Sequence, residues 1–131
     1  MRMATLGSGA GYGSVSSLAL LSDGRIAAGY FEPHVIRVWD VKRRALDVII
    51  NGHVENARAI AALPDGRLLS GSWDCTLKVW DERVLTARYA ASRNTCAATL
   101  AGHARGVNAL AVLPDRRVVS GDVGGIVRVW Q

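Results

Sequence analysis

The chain carries three copies of one sequence pattern, and their spacing limits its fold more than any other feature of the sequence. Each copy has an apolar run, a turn with aspartate, an apolar pair followed by a small residue and glycine, a second turn, and an apolar-basic-Val-Trp ending. The copies occupy residues 17–40, 59–81 and 109–131. Their tryptophans, 41 and 50 residues apart, are Trp39, Trp80 and Trp130. Such a period indicates that each copy is one supersecondary unit that stacks on the next.

A second landmark fixes the phase of the repeat, since His53 and His103 each follow a glycine and each precede a repeat tryptophan by 27 residues. The repeat endings read Ile36-Arg-Val-Trp-Asp40, Leu77-Lys-Val-Trp-Asp81 and Val127-Arg-Val-Trp-Gln131. This Gly-His and Trp-Asp pattern resembles the WD40 family, whose repeats are roughly 40–45 residues long. The resemblance covers nearly the whole chain and implies an all-β fold of WD40 β-propeller blades, each a four-stranded antiparallel sheet.

We therefore expect a single repeat region over residues 1–131. Its repeats are expected at about residues 11–50, 53–100 and 103–131, with a possible N-terminal strand in residues 1–10. Leu63-Pro-Asp-Gly-Arg67 has a proline suited to the first corner of a turn and a glycine free to adopt positive φ, which predicts a turn between antiparallel strands. The strands that follow are expected at residues 67–72, 76–80 and 97–100. The connection within residues 81–95 is longer than its counterpart, and we expect an ordinary variable loop.

The second repeat contains histidine, serine and aspartate close together, which would also suit a hydrolase triad. The WD40 resemblance implies instead a buried hydrogen-bond chain that joins His53, Ser70, Asp74 and Trp80. In that chain the aspartate fixes the imidazole tautomer, and the serine hydroxyl lies between the imidazole and the indole N–H. A catalytic serine would need an exposed hydroxyl that faces oxyanion donors, so the structural interpretation is favoured.

The other two repeats depart from this pattern. The third keeps His103, Ser120 and Trp130 but has Gly124 where aspartate aligns, leaving Asp122 as a stand-in, and we expect its network to be incomplete. The first has no histidine at the corresponding position and has alanine in place of serine, and its turn from Phe31 to His34 is one residue longer. We therefore expect the first blade to be the least rigid.

Large aromatic and arginine side chains in the second turn, or near the start of each first strand, are candidates for partner recognition. In the WD40 family these positions open onto the top face of the propeller, where partners commonly dock. Trp73 is the main candidate, because large aromatics are typical of binding hot spots. The weaker candidates are Phe31, Arg58, Arg105 and Asn108. The alternative for Trp73 is that it folds over its own turn.

Composition argues against several classes of function. The net charge is +5, but the 14 arginines and two lysines are scattered, whereas nucleic-acid binding needs a concentrated basic stripe, so nucleic acid is an unfavoured partner. Cys75 and Cys96 lack metal-ligand spacing and are expected to be free thiols, with no metal or cofactor. No apolar run is long enough to cross a membrane, and no secretory signal is recognisable. We expect an intracellular protein, cytoplasmic or nuclear, that does not bind membranes.

Three blades cannot form a closed ring, because closed propellers have about four to eight blades. Met3-Ala-Thr-Leu6 resembles Ala97-Ala-Thr-Leu100 and could supply an outer strand for the last blade. The chain is therefore expected to be part of a longer propeller or half of an oligomeric ring, closed by additional blades or as a homodimer. The favoured function is a non-catalytic scaffold that binds proteins or peptides; a nucleic-acid binder and, less favoured, a hydrolase are the alternatives.

Overall fold

The computed structural model describes residues 3–7, 13–81 and 96–131, and within these ranges the chain forms eleven β-strands. The first sheet, blade 1, contains β1 (Ser14–Leu20), β2 (Ile26–Phe31), β3 (Val35–Asp40) and β4 (Ala45–Asn51). The second, blade 2, contains β5 (Ala59–Ala62), β6 (Leu68–Gly71), β7 (Thr76–Trp80) and β8 (Ala98–Ala101). The third, blade 3, contains β9 (Val107–Val112), β10 (Val118–Asp122) and β11 (Val127–Trp130). Residues 82–95 of the expected variable loop lie outside the described residues, as do residues 1–2 and 8–12 near the N-terminus.

Every blade is an antiparallel meander in which each strand pairs with the next along the chain. The all-β prediction is confirmed, and β7 has the expected bounds, while β8 begins one residue later than expected. Blades 1 and 2 each have four strands, and the sheet of blade 3 has three strands among the described residues. The edge of β11 therefore has no strand beside it in this part of the chain.

The turns between the first and second strands share one construction. In blade 2, the Asp65 carboxylate accepts hydrogen bonds from the Arg67 backbone N–H at 3.1 Å and from its Nε at 2.8 Å. Gly66 adopts φ +91°, a conformation that glycine reaches without a Cβ clash. Blades 1 and 3 repeat the aspartate–arginine pairing at the same distances, so the aspartate turns predicted from the sequence are all formed. In blade 3, Arg116 takes the positive φ, at 72°.

The blades pack face to face, with β1 against β5 and β5 against β9. Ile60 of β5 belongs to a core cluster between blades 1 and 2. Leu110 of β9 packs in the same way on a cluster formed by Leu69, Leu77 and Val79 of blade 2. The first strands of blades 2 and 3 therefore each insert an apolar side chain into the sheet of the preceding blade, and the hydrophobic effect holds neighbouring blades together.

Blade 1 is packed without the histidine and serine of its neighbours. Ala28 and Trp39 are buried, together with Tyr30 and Val35. The Arg37 guanidinium lies 4.5 Å from the centre of the Tyr30 ring, a cation–π contact. That blade 1 is the least rigid stays a prediction. Cys75 and Cys96 are both free thiols, as expected.

Residues 3–7 form no strand in this structure. Leu6 packs against the Ala28, Tyr30, Val35 and Trp39 cluster of blade 1, on the side away from blade 2. The suggestion that this segment completes blade 3 stays a prediction. Within the described ranges, no helix is long and apolar enough to cross a bilayer.

Candidate functional site

The side chains His53, Ser70, Asp74 and Trp80 form one buried hydrogen-bond chain in blade 2. His53 Nδ1 lies 2.8 Å from Asp74 Oδ2, and His53 Nε2 lies 2.6 Å from Ser70 Oγ. A carboxylate only accepts hydrogen bonds, so Nδ1 carries the proton and Nε2 accepts the hydroxyl proton of Ser70. Trp80 Nε1 donates to the same Ser70 Oγ at 2.9 Å. Each ring nitrogen and the hydroxyl in this hydrogen-bond chain has a partner, as buried polar groups require.

The carboxylate of Asp74 is held in its charged form. Burial alone would raise its pKa, but hydrogen bonds from His53 and Thr76, together with the attraction of the imidazole, lower the pKa well below the usual aspartate value. Asp74 Oδ1 accepts the Thr76 backbone N–H at 2.9 Å and its hydroxyl at 2.6 Å. One carboxylate therefore fixes both the imidazole and the turn that begins β7.

Blade 3 contains a complete network, and the expectation of an incomplete one is wrong. His103 lies 2.8 Å from Asp122 Oδ2 and 2.6 Å from Ser120 Oγ, while Trp130 Nε1 donates to Ser120 Oγ at 2.7 Å. Asp122 replaces the missing turn aspartate from the end of β10, where a register shift between Gly121 and Asp122 redirects the strand. Hydrogen bonds from the backbone of Ile126, from His103 and from the backbone of Gly124 lower the pKa of Asp122.

The geometry of these networks does not suit hydrolysis, although serine, histidine and carboxylate follow one another as in a catalytic triad. Ser70 and Ser120 both have 0% exposure, so neither hydroxyl can reach a substrate. Each hydroxyl oxygen also accepts an indole N–H, which occupies the space where an attacked carbonyl would lie. The arrangement supports the fold rather than a reaction.

The network in blade 2 also fixes the turn between β6 and β7. Ser72 Oγ accepts the Asp74 backbone N–H at 3.0 Å and donates to the Glu55 carbonyl at 3.1 Å. The Ser72 carbonyl accepts the backbone N–H of Val107 at 2.8 Å, which joins this turn to blade 3. Trp73, the residue between Ser72 and Asp74, is therefore presented on a backbone that is held at both ends.

We call the end of the sheets where β2 meets β3, β6 meets β7 and β10 meets β11 the top face. Trp73 and Phe31 both lie there, with 43% and 40% of their surface exposed. Their ring centroids are 6.4 Å apart at an interplanar angle of 82°, an edge-to-face contact between blades 1 and 2. Trp73 also lies so close to Gly106 of blade 3 that a β-carbon there would be 2.9 Å from the indole Cδ1. Trp73 thus lies across a blade junction rather than only over its own turn.

The other three candidates from the sequence lie at the same end of the sheets. Arg58 immediately precedes β5, and Asn108 is the second residue of β9; both are exposed. Arg105 is exposed too, and its side chain lies against Gly124, where a β-carbon would be 2.8 Å from Cδ. The structure brings Phe31 and Trp73 into direct contact and places the two arginines and the asparagine on the same face.

Two further residues of the top face were missed by the sequence reasoning. His34 makes an edge contact with Phe31, at 5.9 Å between ring centroids, and its Nε2 lies 4.0 Å from Glu55 Oε2. Val54, which follows His53, is 79% exposed. Val54 could have been found from the sequence, because an apolar residue directly follows the Gly-His pair. His34 could not, because its position depends on how its turn folds.

Four of the arginines in the described ranges are engaged by other side chains of this chain. Arg25, Arg67 and Arg117 pair with aspartates of their own turns at 2.8 Å, at the end of the sheets opposite the top face. Arg37 is buried over Tyr30. These four arginines are therefore paired or packed within the chain, which reduces the basic surface that a nucleic acid could contact. No group of three side chains suited to a metal ion occurs in the described part of the chain.

These features agree with comparisons to known proteins. The family profile described as "WD domain, G-beta repeat" matches residues 45–81 and 94–131, which together are more than half of the chain. The chain belongs to the WD40 repeat family. The first repeat lies mostly outside the matched ranges, as its missing histidine and serine would lead one to expect.

Several curated proteins are similar over about half of the chain. A guanine nucleotide-binding protein subunit beta-5b from Danio rerio is 35% identical over 66 residues, which are 50% of this chain and 17% of that protein. Apoptotic protease-activating factor 1 from Rattus norvegicus is 35% identical over 75 residues, covering 57% of this chain and 6% of that protein. A periodic tryptophan protein 2 homolog from Neurospora crassa is 38% identical over 69 residues, covering 51% and 8%. The chain thus spans less than a fifth of each of these relatives.

A solved structure, that of U3-55K, has the same arrangement of strands. It superposes with a TM-score of 0.73 at 28% sequence identity, covering 88% of this chain and 33% of that one. The fold of three consecutive WD40 blades is therefore shared with a known WD-repeat protein.

Proposed function

We propose that this chain is a non-catalytic interaction module that binds protein or peptide partners on its top face. The observation that carries the proposal is the edge-to-face pair of Trp73 and Phe31, two large aromatic side chains that stay about two-fifths exposed. Trp73 lies in a hydrogen-bonded turn, and Phe31 is the last residue of β2. When a side chain is already held in one orientation, binding a partner loses little conformational entropy. Large aromatic residues of this kind contribute most of the binding energy in many interfaces.

The residues around the aromatic pair define what a partner should offer. Arg58 and Arg105 are exposed, and neither forms an ion pair with another residue in the described ranges. Val54 adds exposed apolar surface on the same face. We infer a partner segment with an apolar or aromatic anchor for Trp73 and Phe31, and with an acidic or carbonyl group for the arginines. Asn108 would supply a neutral hydrogen-bonding group.

The proposal is tested by selecting peptides from a displayed library on the immobilised chain and measuring their affinities by isothermal titration calorimetry. Trp73→Ala should weaken binding about 10-fold to 30-fold, the loss typical of an aromatic hot spot. Val41→Ala is the matched control, because Val41 is 44% exposed but lies in the β3–β4 turn at the opposite end of blade 1. Equal losses in the two variants would contradict a top-face site.

Salt dependence separates this proposal from nucleic-acid binding. Peptide affinity should change only modestly between low and moderate salt, because the anchor is apolar. A nucleic acid held by several arginines would lose about a thousand-fold or more over a comparable range, through counterion release. Tight binding of oligonucleotides with such a slope, together with no selected peptide that depends on Trp73, would replace the proposal with the nucleic-acid alternative.

A further inference from the structure

A thiol and an amine, two nucleophilic groups, are in contact on the outer part of blade 2. Lys78 Nζ lies 3.9 Å from Cys96 Sγ, although 18 residues separate them in the sequence. The Thr99 hydroxyl contacts both, with Oγ1 2.9 Å from Nζ and 3.3 Å from Sγ. We call these three side chains the Cys96 cluster. Because its members come from β7 and from the start of β8, folding of the blade brings them together.

The pairing of β7 with β8 holds the cluster in place. Lys78 pairs directly with Thr99 across the two strands. The backbone N–H of Ala97, the residue after Cys96, donates to the Val79 carbonyl at 2.7 Å. The Cys96 side chain also packs on the core cluster between blades 1 and 2. Backbone hydrogen bonds and apolar packing therefore position the sulfur beside the amine.

The Cys96 cluster is open to solvent. Cys96 and Lys78 are half-buried, and Thr99 is exposed. A partly exposed thiol beside a cationic group is typical of reactive cysteines. A small reagent in water can therefore reach the sulfur, and the amine already lies next to it.

We propose that the Cys96 cluster is a modification site, at which a small acyl thioester acylates Lys78 through Cys96. In the first step, the Cys96 thiolate attacks the thioester carbonyl, a carbon–sulfur bond forms to Sγ, and the thiolate of the reagent leaves and takes a proton from water. In the second step, the neutral Lys78 amine attacks the same carbonyl and releases Cys96. A carbon–nitrogen bond forms, the bond to Sγ breaks, and the amine loses a proton to solvent. The products are an amide on Lys78, the free thiol of the reagent and the regenerated Cys96 thiol.

The separation of sulfur and nitrogen suits the second step. Reacting atoms attack from about 3–3.5 Å, and an acyl carbon bonded to Sγ can come that close to Nζ by side-chain rotation alone. The 3.9 Å contact is already present in the folded blade, so the transfer needs no movement of either strand. Acylation then removes the positive charge of Lys78. The site is separate from the top face, since it uses none of the residues proposed to bind a partner.

The chain contains its own comparison, because it has two lysines and two cysteines. Lys42 is exposed in the β3–β4 turn of blade 1. Cys75 lies in the top-face turn of blade 2, where its Sγ is 3.9 Å from the Trp73 carbonyl oxygen. Direct acylation governed by exposure would favour Lys42, whereas delivery through a thiol favours Lys78.

Incubation of the folded chain with acetyl-coenzyme A, followed by peptide mass spectrometry, tests the proposal. Lys78 should be acetylated at least about 10-fold faster than Lys42, because transfer within a preformed site avoids the entropy cost of a bimolecular encounter. Cys96→Ser should remove this advantage, whereas Cys75→Ser, the matched control, should retain it. An acetyl N-hydroxysuccinimide ester, which acylates amines directly, should label Lys78 equally in the Cys96→Ser variant and in the unsubstituted chain.

Urea gives a second readout that needs no substitution, because unfolding separates Cys96 from Lys78. In enough urea to unfold the chain, the preference of acetyl-coenzyme A for Lys78 over Lys42 should disappear. Equal rates at the two lysines of the folded chain would overturn the proposal. So would a preference for Lys78 that survives Cys96→Ser or urea, or S-acetylation of Cys96 that is never followed by acetylation of Lys78.

Discussion

Replacing Ser70 with alanine removes the atom that two buried groups share. Ser70 has 0% exposure, and its hydroxyl donates to His53 Nε2 at 2.6 Å and accepts from Trp80 Nε1 at 2.9 Å. Without it, an imidazole nitrogen and an indole N–H remain buried with no partner. Each such group costs about 1–3 kcal/mol, so Ser70→Ala should lower the free energy of unfolding by about 2–6 kcal/mol.

Urea denaturation followed by tryptophan fluorescence measures this loss, with Ser22→Ala as the control. Ser22 is exposed, so its substitution should change the free energy of unfolding by no more than about 0.5 kcal/mol. Ser120→Ala in blade 3 should cost less than Ser70→Ala, about 1–2 kcal/mol, because Trp130 is only half-buried and water can replace part of the lost bond. A loss below about 1 kcal/mol for Ser70→Ala would refute the view that the network stabilises blade 2.

Two further predictions concern the same networks. Gly52→Ala should destabilise the chain by about 1–3 kcal/mol or more, because the added β-carbon would overlap the fully buried Trp80 ring. Gly102→Ala should cost less, because its β-carbon would lie 2.9 Å from the ring of Trp130, which is only half-buried. Thermal denaturation compares the two variants. Acid should also destabilise the fold: with the pKa of Asp74 lowered in the folded chain, the unfolded state takes up its proton first, and stability falls as the pH drops below about 4. Asp74→Asn should be less stable at neutral pH but show a flatter decline in melting temperature below that pH; an unchanged slope would contradict the assignment.

The spacing of the repeats made most of the fold predictable. The Val-Trp endings located the third strands, and the aspartate turns located the junctions between the first and second strands, because turn residues and strand periodicity are local properties of sequence. The error in blade 3 had a specific cause. Aligning the repeats by their turns placed Gly124 opposite Asp74. In the structure, Asp122 at the end of β10 contacts His103 instead, because the strand register shifts between Gly121 and Asp122. Such a β-bulge has no fixed signature in a single sequence.

The candidate site was only partly predictable. Two aromatic residues in the expected turns, and two arginines and Asn108 near the starts of first strands, pointed to the top face, and the structure places all five of them there. The contact between Trp73 and Phe31 depends on the relative placement of two blades and on the absence of a side chain at Gly106. These are long-range properties of packing, so the sequence could name the residues but not their geometry.

Hydrogen–deuterium exchange of the chain with and without a selected peptide tests the central claim most directly. A peptide bound to the top face should protect backbone amides at residues 31–35 and 72–76, the top-face turns of blades 1 and 2, and should leave the opposite turns at residues 21–25 and 63–67 unchanged. Protection confined to those opposite turns, or spread evenly over the chain, would show that partners do not bind at the Trp73 and Phe31 surface.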